Sequence, residues 1–293
     1  MGNMNLTYNV TENIMINDIL GKKLLMSSRL KNKLIKNKAI LLNGIFVDTR
    51  TVAHLGDVLT VILNLAEDNS NIVPSQIPLD IVYEDAHILI VNKPAGIAVH
   101  PSMLHFDNSL SNGVKYYFDS IGLHKKIRAV NRIDLNTSGL VLFAKNEYIQ
   151  ECLIKQMANK TFQKTYLALV YGHMPEIKGT INVPIARKEN SIIERCVSSS
   201  GQVAITHYEV IKEFEKYSLV SCKLETGRTH QIRVHMAYIG NPLLGDSLYG
   251  NSTTSLISRQ ALHSYKMSFI HPVYNKSILV EAKLPKDMEK LII

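Results

Sequence analysis

The chain has 293 residues, a hydrophobic fraction of 46%, a charged fraction of 20% and a formal charge of +8 at neutral pH. That length suits one large domain with a small one beside it, and the composition is that of an ordinary globular protein. No run approaches the roughly 18 uninterrupted apolar residues of a membrane span, and the opening MGNMNLTYNV lacks the basic start and apolar core of a signal peptide, so a cytoplasmic protein without a membrane partner is expected.

The charge is unevenly spread. Between Ile19 and Arg50 stand Lys22, Lys23, Arg29, Lys31, Lys33, Lys36, Lys38 and Arg50 against the single acid Asp48, so this segment carries seven of the eight net positive charges. Basic charge concentrated on a short segment is the footprint of a phosphate-backbone contact, although a solvated helix face is the ordinary reading of any one lysine in it. Ser27 and Ser28 precede a stretch in which Leu30, Leu34 and Ile35 recur at helical spacing, which predicts a capped helix with basic residues on its outer side. Asn43-Gly44 between two apolar runs predicts a hairpin, and Gly56-Asp57 turns the chain into a third strand from Val58 to Leu63. Leu65 to Pro78 is polar and reads as a linker. The expected division is an N-terminal module over residues 1–66, a linker over 67–78 and a large domain over 79–293.

The large domain is dominated by short apolar strands separated by Gly, Pro and Asn. Strands are predicted at 81–83, 87–91, 139–144, 164–171, 204–211 and 217–224, with helices at 148–157 and 231–239. Irregular alternation of this kind predicts an α+β fold, with a mixed, mainly antiparallel sheet and flanking helices. There is no GxGxxG and no P-loop, so dinucleotide and nucleoside-triphosphate chemistry lack support. Cys152, Cys196 and Cys222 are scattered and include no CxxC pair, which argues for packing residues over a disulfide framework or a cysteine zinc site.

Two polar clusters could carry chemistry. The first is Asn131-Arg132-Ile133-Asp134-Leu135-Asn136-Thr137-Ser138-Gly139, in which Asp134 could equally fix a turn or pair with Arg132. The second is Thr226-Gly227-Arg228-Thr229-His230-Gln231-Ile232-Arg233-Val234-His235. Its two histidines are five apart, about 140° around a helix, so they do not converge on a zinc ion; no metal site is expected. They read better as structural groups or as neighbours of RNA phosphates. Arg233 lies inside an otherwise apolar run and needs a buried carboxylate partner, for which Asp134 is the natural candidate.

Together these segments resemble a known family. NRIDLNTSGLVLFAKN resembles the aspartate motif of the RluA/RluD-type pseudouridine synthases. VNKPAGIAVHP (91–101), KTYLALVYG (164–172), TGRTHQIRVHMAYIGNPLLGDSLYG (226–250) and ALHSYKMSFIHP (261–272) follow in that family's order and spacing. The stretch SSRLKNKLIKNKAILLNGIFVD looks like an S4-type RNA-binding domain, which implies a small α/β module docking its basic helix on folded RNA, with Arg29, Lys31, Lys33 and Lys36 as contacts.

The resemblance implies conversion of uridine to pseudouridine in structured RNA; the S4-like module favours large-subunit rRNA over tRNA, the reaction calls for no cofactor, and a monomer is expected. Asp134 is then the catalytic aspartate, attacking C1′ of the ribose or C6 of the base. Arg132 fills the place of the flipped nucleotide or contacts its phosphate, Tyr166 stacks on the target base and assists loss of the C5 proton, Arg233 pairs with Asp134, and Ile232 shapes the base pocket. The chemistry fits these residue types. A nucleophilic carboxylate must stay ionised while shielded from water, which a neighbouring guanidinium favours, and the target base must leave the RNA stack. Tyr166 also has a plain core reading, since it alternates with Ala168 and Val170 on one strand face. Asn131 stands where the family usually has His, and it cannot titrate.

Two other functions are compatible with parts of the sequence. A catalytically idle RNA-binding or ribosome-assembly protein would keep the basic module alone. A glycoside hydrolase or nucleosidase would need a second carboxylate, with Glu225 and Asp246 as the nearby acids, both of which have simple structural explanations.

Overall fold

The computed structural model of the protein describes residues 5–65, 67–250 and 255–293. The first four residues and Ala66 of the expected N-terminal module, and residues 251–254 of the large domain, lie outside the described residues.

The N-terminal module opens with β1 (Asn5–Asn9), β2 (Ile14–Met15) and a short α1 (Ile16–Asp18) running into a wide helical turn. Next comes α2 (Ser28–Lys36), whose N-cap Ser27 accepts the Leu30 amide at 3.1 Å. Leu30 and Leu34 are buried on its inner side. Strands β3 (Ile40–Leu42) and β4 (Ile45–Phe46) follow, joined through Asn43 and Gly44, which take φ of 50° and 84°. Positive φ at both positions is what a type I′ turn requires, and it explains the Asn-Gly pair. After β5 (Val52–Ala53), β6 (Val58–Ile62) completes a four-stranded sheet in the order β1-β6-β3-β4.

Residues 67–78 form no helix or strand, yet they are held along their length. Ile72 is buried, the Asn112 side chain donates to Val73 O at 2.8 Å, and Ile77 packs where a side chain at Gly113 would sit. Glu67 receives Arg128 at 2.7 and 2.6 Å and Lys33 at 2.8 Å. Lys33 also reaches Glu147 at 3.0 Å, and Ser27 binds Glu151. The segment is therefore a docked strap, because its acid ties the two modules together. Leu30 and Leu34 of the N-terminal module and Ile88, Leu140 and Leu153 of the large domain belong to one continuous core.

The large domain begins with β7 (Ile81–Glu84) and β8 (Ile88–Lys93), then α3 (Leu110–Ser120), β9 (Ser138–Ala144), α4 (Glu147–Ala158) and β10 (Gln163–Tyr171). Next come β11 (Lys178–Asn182) and a separate hairpin of β12 (Ile185–Arg187) and β13 (Arg195–Val197). The chain returns through β14 (Ile205–Glu213), β15 (Tyr217–Leu224), α5 (Gln231–Tyr238), β16 (Leu262–Ile270), β17 (Ser277–Glu281) and α6 (Lys286–Glu289). Nine strands make one sheet in the order β11-β14-β15-β10-β16-β9-β8-β7, with β17 added beside β16. Every pairing in it is antiparallel except β16 with β9. The expected α+β architecture is thus present.

The parallel junction positions the site. His263 pairs with Ser138 and Ser264 with Gly139, at the point where the segment containing Asp134 enters β9. Gly139 has φ of 110°, and a Cβ there would collide with the Ser264 backbone. Only glycine permits this close approach.

Candidate active site

A cleft of about 970 Å³ opens over this junction, and its walls include His100, Arg132, Asp134, Tyr166, His230 and Arg233. The two polar clusters of the sequence, about a hundred residues apart, therefore meet.

Asp134 begins a tight turn in which its carbonyl accepts the Thr137 amide at 3.1 Å. The next carbonyl, of Leu135, accepts the Gly96 amide at 3.0 Å and the ammonium of Lys93 at 2.9 Å. Lys93 is wholly buried and also donates to Pro94 O and Ile97 O at 2.8 and 2.7 Å. Burial, and then the charge of Arg259, push its pKa down to about 7, while Asp134 pulls the other way. Three carbonyl acceptors around the amine suit the ammonium form.

Arg233 is the third residue of α5, with a side chain only 8% exposed. Its Nε and Nη2 donate to the two oxygens of Asp246 at 2.7 and 2.8 Å, and its Nη1 donates to Asp134 Oδ2 at 3.3 Å. The expected Arg233–Asp134 contact is present, but the bidentate partner is Asp246. Asp246 is fully buried and also accepts the amides of Leu248 and Tyr249 at 3.0 and 3.2 Å. Burial opposes the Arg233 charge, yet Asp246 and then Asp134 hold its pKa above the ordinary value. The guanidinium also lies 5.0 Å from the ring of Tyr249.

His230 precedes α5 with φ of 59°, a left-handed conformation that non-glycine residues seldom adopt. Its Nδ1 meets Tyr249 Oη at 2.8 Å and its Nε2 lies 3.9 Å from Asp134 Oδ2. Burial lowers its pKa against the pull of Asp134. His235 has gone elsewhere: it is buried against Thr206 Oγ1 at 2.9 Å and Val183 O at 3.1 Å.

Tyr166 stands on β10 between Cys222 and Ser264, 5% exposed, and burial pushes its phenol up to about 12. Ile232 is buried in the same cluster as Tyr166 and Leu262. Arg132 is exposed at the mouth, and its charge adds to burial in lowering the pKa of His100. Asn131 is buried and structural: its Nδ2 donates to Leu140 O at 3.1 Å and its Oδ1 accepts the Leu142 amide at 2.9 Å, so it pins the segment before Asp134 to β9.

The basic residues of α2 lie apart from this cleft. Lys36 is exposed, Lys31 donates to Asn17 at 2.7 Å, and Arg29 is 87% exposed with Glu147 at 3.5 Å. Lys33 is turned into the contact with the large domain, where Glu67 and Glu147 neutralise it.

Residues 87–238 match the family described as RNA pseudouridylate synthase. An RNA pseudouridine synthase of Bacillus subtilis, YjbO, itself described as uncharacterized, is 41% identical over 251 residues, covering 86% of this chain and 88% of its own. The chain belongs to the RNA pseudouridylate synthase family. A second relative of this synthase, the ribosomal large subunit pseudouridine synthase D of Zymomonas mobilis, is 41% identical over 232 residues, 74% of this chain and 73% of its own. The solved structure of human RNA pseudouridylate synthase domain containing 1 superposes with a TM-score of 0.60 at 27% identity, over 72% of the synthase and 85% of the human chain. The family match includes Arg132, Asp134, Tyr166, Ile232 and Arg233, whereas Asp246 lies beyond it.

Proposed function

We propose that this synthase isomerises uridine to pseudouridine in large-subunit ribosomal RNA, with Asp134 as its nucleophile. The observation that carries this proposal is the chain Asp246–Arg233–Asp134 at the wall of a cleft large enough for an extruded nucleotide. Asp246 fixes the guanidinium, and the guanidinium offers its remaining edge to Asp134, orienting the carboxylate toward the cleft for attack. In the rearrangement the Asp134 carboxylate bonds to C1′ of the ribose or C6 of the base, C1′–N1 breaks, the uracil turns, C1′–C5 forms, the bond to Asp134 is broken, and C5 loses a proton while N1 gains one. It is redox-neutral and hydrolyses nothing, so a carboxylate, a guanidinium and an aromatic wall are sufficient.

Tyr166, protonated throughout the neutral range, serves as that wall. Ile232 closes the pocket beside it, and Arg132 at the mouth meets the phosphate or the vacated stack. Relatives named as ribosomal large subunit synthases support ribosomal RNA as the substrate. The N-terminal module acts as an S4-type RNA-docking unit through Arg29, Lys31 and Lys36, whereas Lys33 is taken up by Glu67 and Glu147. The enzyme works as a cytoplasmic monomer.

Tritium release from RNA labelled at uridine C5 tests the chemistry, and no release with the wild-type protein would sink it. Pseudouridine mapping in cells with and without the gene tests the substrate. Sites lost from large-subunit rRNA are expected; sites lost only from tRNA would overturn that choice.

A further inference from the structure

We propose that Arg259 is a positioning residue for Asp134, and that Asp287 of α6 orients it, so that the C-terminal segment of the chain helps to hold the reacting carboxylate. The proposal rests on the role given to Asp134 above. The Arg259 side chain is 8% exposed, and its fork grips Asp287 with Nε to Oδ2 at 2.7 Å and Nη2 to Oδ1 at 2.9 Å. The opposite edge faces the turn that follows Asp134. Nη1 donates to Asn136 O at 3.0 Å, shares donors with Gln260 O and Leu262 O at 3.0 and 3.3 Å, and Nη2 reaches Ser138 Oγ at 3.5 Å.

Consecutive carbonyls of the turn are thus held by two buried basic side chains, Leu135 O by Lys93 and Asn136 O by Arg259. Thr137 Oγ1 accepts from Gln260 Nε2 at 3.3 Å, and Ser138 Oγ meets His263 Nδ1 at 2.9 Å. Four successive residues after Asp134 are therefore anchored from outside the turn, and Arg259 is the anchor that is also tied to α6. A lysine could not reproduce this bridge, since it lacks the planar fork that serves Asp287 and the turn together. Small displacements of a reacting group are costly in rate even when substrate binding survives.

The test compares Arg259→Gln, Arg259→Lys and Asp287→Asn with wild type in single turnover at saturating enzyme, alongside RNA binding and thermal melting. Arg259→Gln should slow conversion by about tenfold or more with RNA affinity kept within about twofold, and Arg259→Lys should recover only part of the rate. Asp287→Asn, at a side chain 42% exposed, leaves the fold intact and should give a smaller loss. The double variant Arg259→Gln/Asp287→Asn should be no slower than Arg259→Gln alone, because the two act as one unit. A wild-type rate in folded Arg259→Gln, or a loss that follows only the folded fraction or RNA affinity, would overturn the proposal. A crystal structure of Arg259→Gln or Asp287→Asn should show the Asp134 carboxylate displaced from its 3.3 Å contact with Arg233, and an unmoved carboxylate would also overturn it. If the wild type forms no pseudouridine, the role of Asp134 falls, and this displacement decides the positioning on its own.

Discussion

Arg233 gives Asp246 two hydrogen bonds, at 2.7 and 2.8 Å, and Asp134 one, at 3.3 Å. The stronger pairing belongs to the residue that does not react, which leaves Asp134 free to engage a substrate without stranding the guanidinium. Asp246→Asn should therefore damage both fold and rate. Removing one partner of a buried pair costs roughly 3–5 kcal/mol, and Arg233 would swing toward Asp134. Chemical denaturation and turnover should fall together, and an Asp246→Asn protein of wild-type stability would contradict this account of Arg233.

Asp134→Asn should behave in the opposite way. Asp134 is a quarter exposed and takes the longer, single hydrogen bond of Arg233, so stability and RNA affinity should stay near wild type. Turnover should drop by about 10³-fold or more, as expected when a nucleophile is removed. Tritium release and filter binding on the same RNA read out the two quantities separately.

Asn131 can be tested for the purely structural role its contacts imply. Asn131→Ala strips a donor and an acceptor from buried backbone groups of β9 and should destabilise by about 1–3 kcal/mol. Activity per folded molecule should be retained. A pH–rate profile that changed shape in Asn131→Ala would point instead to a part in the proton transfers.

The strap between the modules predicts an acid-sensitive interface. Burial pushes the Glu67 carboxyl up, but Arg128 and Lys33 outweigh it and hold the pKa at about 2, below the ordinary 4.5. Because the folded-state value is the lower one, the stabilisation is complete above pH 4.5 and is lost as pH falls toward 2. At about 1.4 kcal/mol per pH unit this amounts to at most roughly 3.5 kcal/mol. Glu67→Gln should remove that part of the dependence, so the stability gap between variant and wild type, measured in urea, should shrink from pH 5 to pH 3.

Much of the fold could be read from short-range signals. The Asn43-Gly44 hairpin, the Ser27 cap and strands β10 and β15 lie where turn chemistry and alternation put them, within a residue or two. The site was legible in part: a buried arginine in an apolar run demands a carboxylate, and Asp134 was the visible choice. That demand could not reveal that Asp246 takes two of the arginine's donors, because a carboxylate in a Gly-Asp-Ser turn looks the same whether it caps backbone amides or pairs with Arg233. Here it does both. Lys93 was hidden for a related reason, since a lysine before Pro-Ala-Gly reads as a solvated turn residue until three carbonyls are seen to converge on it. Lys33 shows the limit of charge counting: helical spacing places it on the outer face of α2, and only the tertiary arrangement supplies Glu67 and Glu147 beyond that face.

The junction at β16 has a consequence for how the molecule loosens. Along one edge β16 pairs with β10; along the other it pairs with β9 through His263 and Ser264, and with β17 from Lys266 onward. The two walls of the cleft, one carrying Asp134 and the other Tyr166, thus share a single strand as their common hydrogen-bonding partner. Neither wall can fray far without exposing that strand, so they belong to one cooperative unit. Under native conditions the amides of β9, β10 and β16 should exchange with solvent deuterium through a common opening, while those of the β12–β13 hairpin, outside this sheet, should exchange sooner.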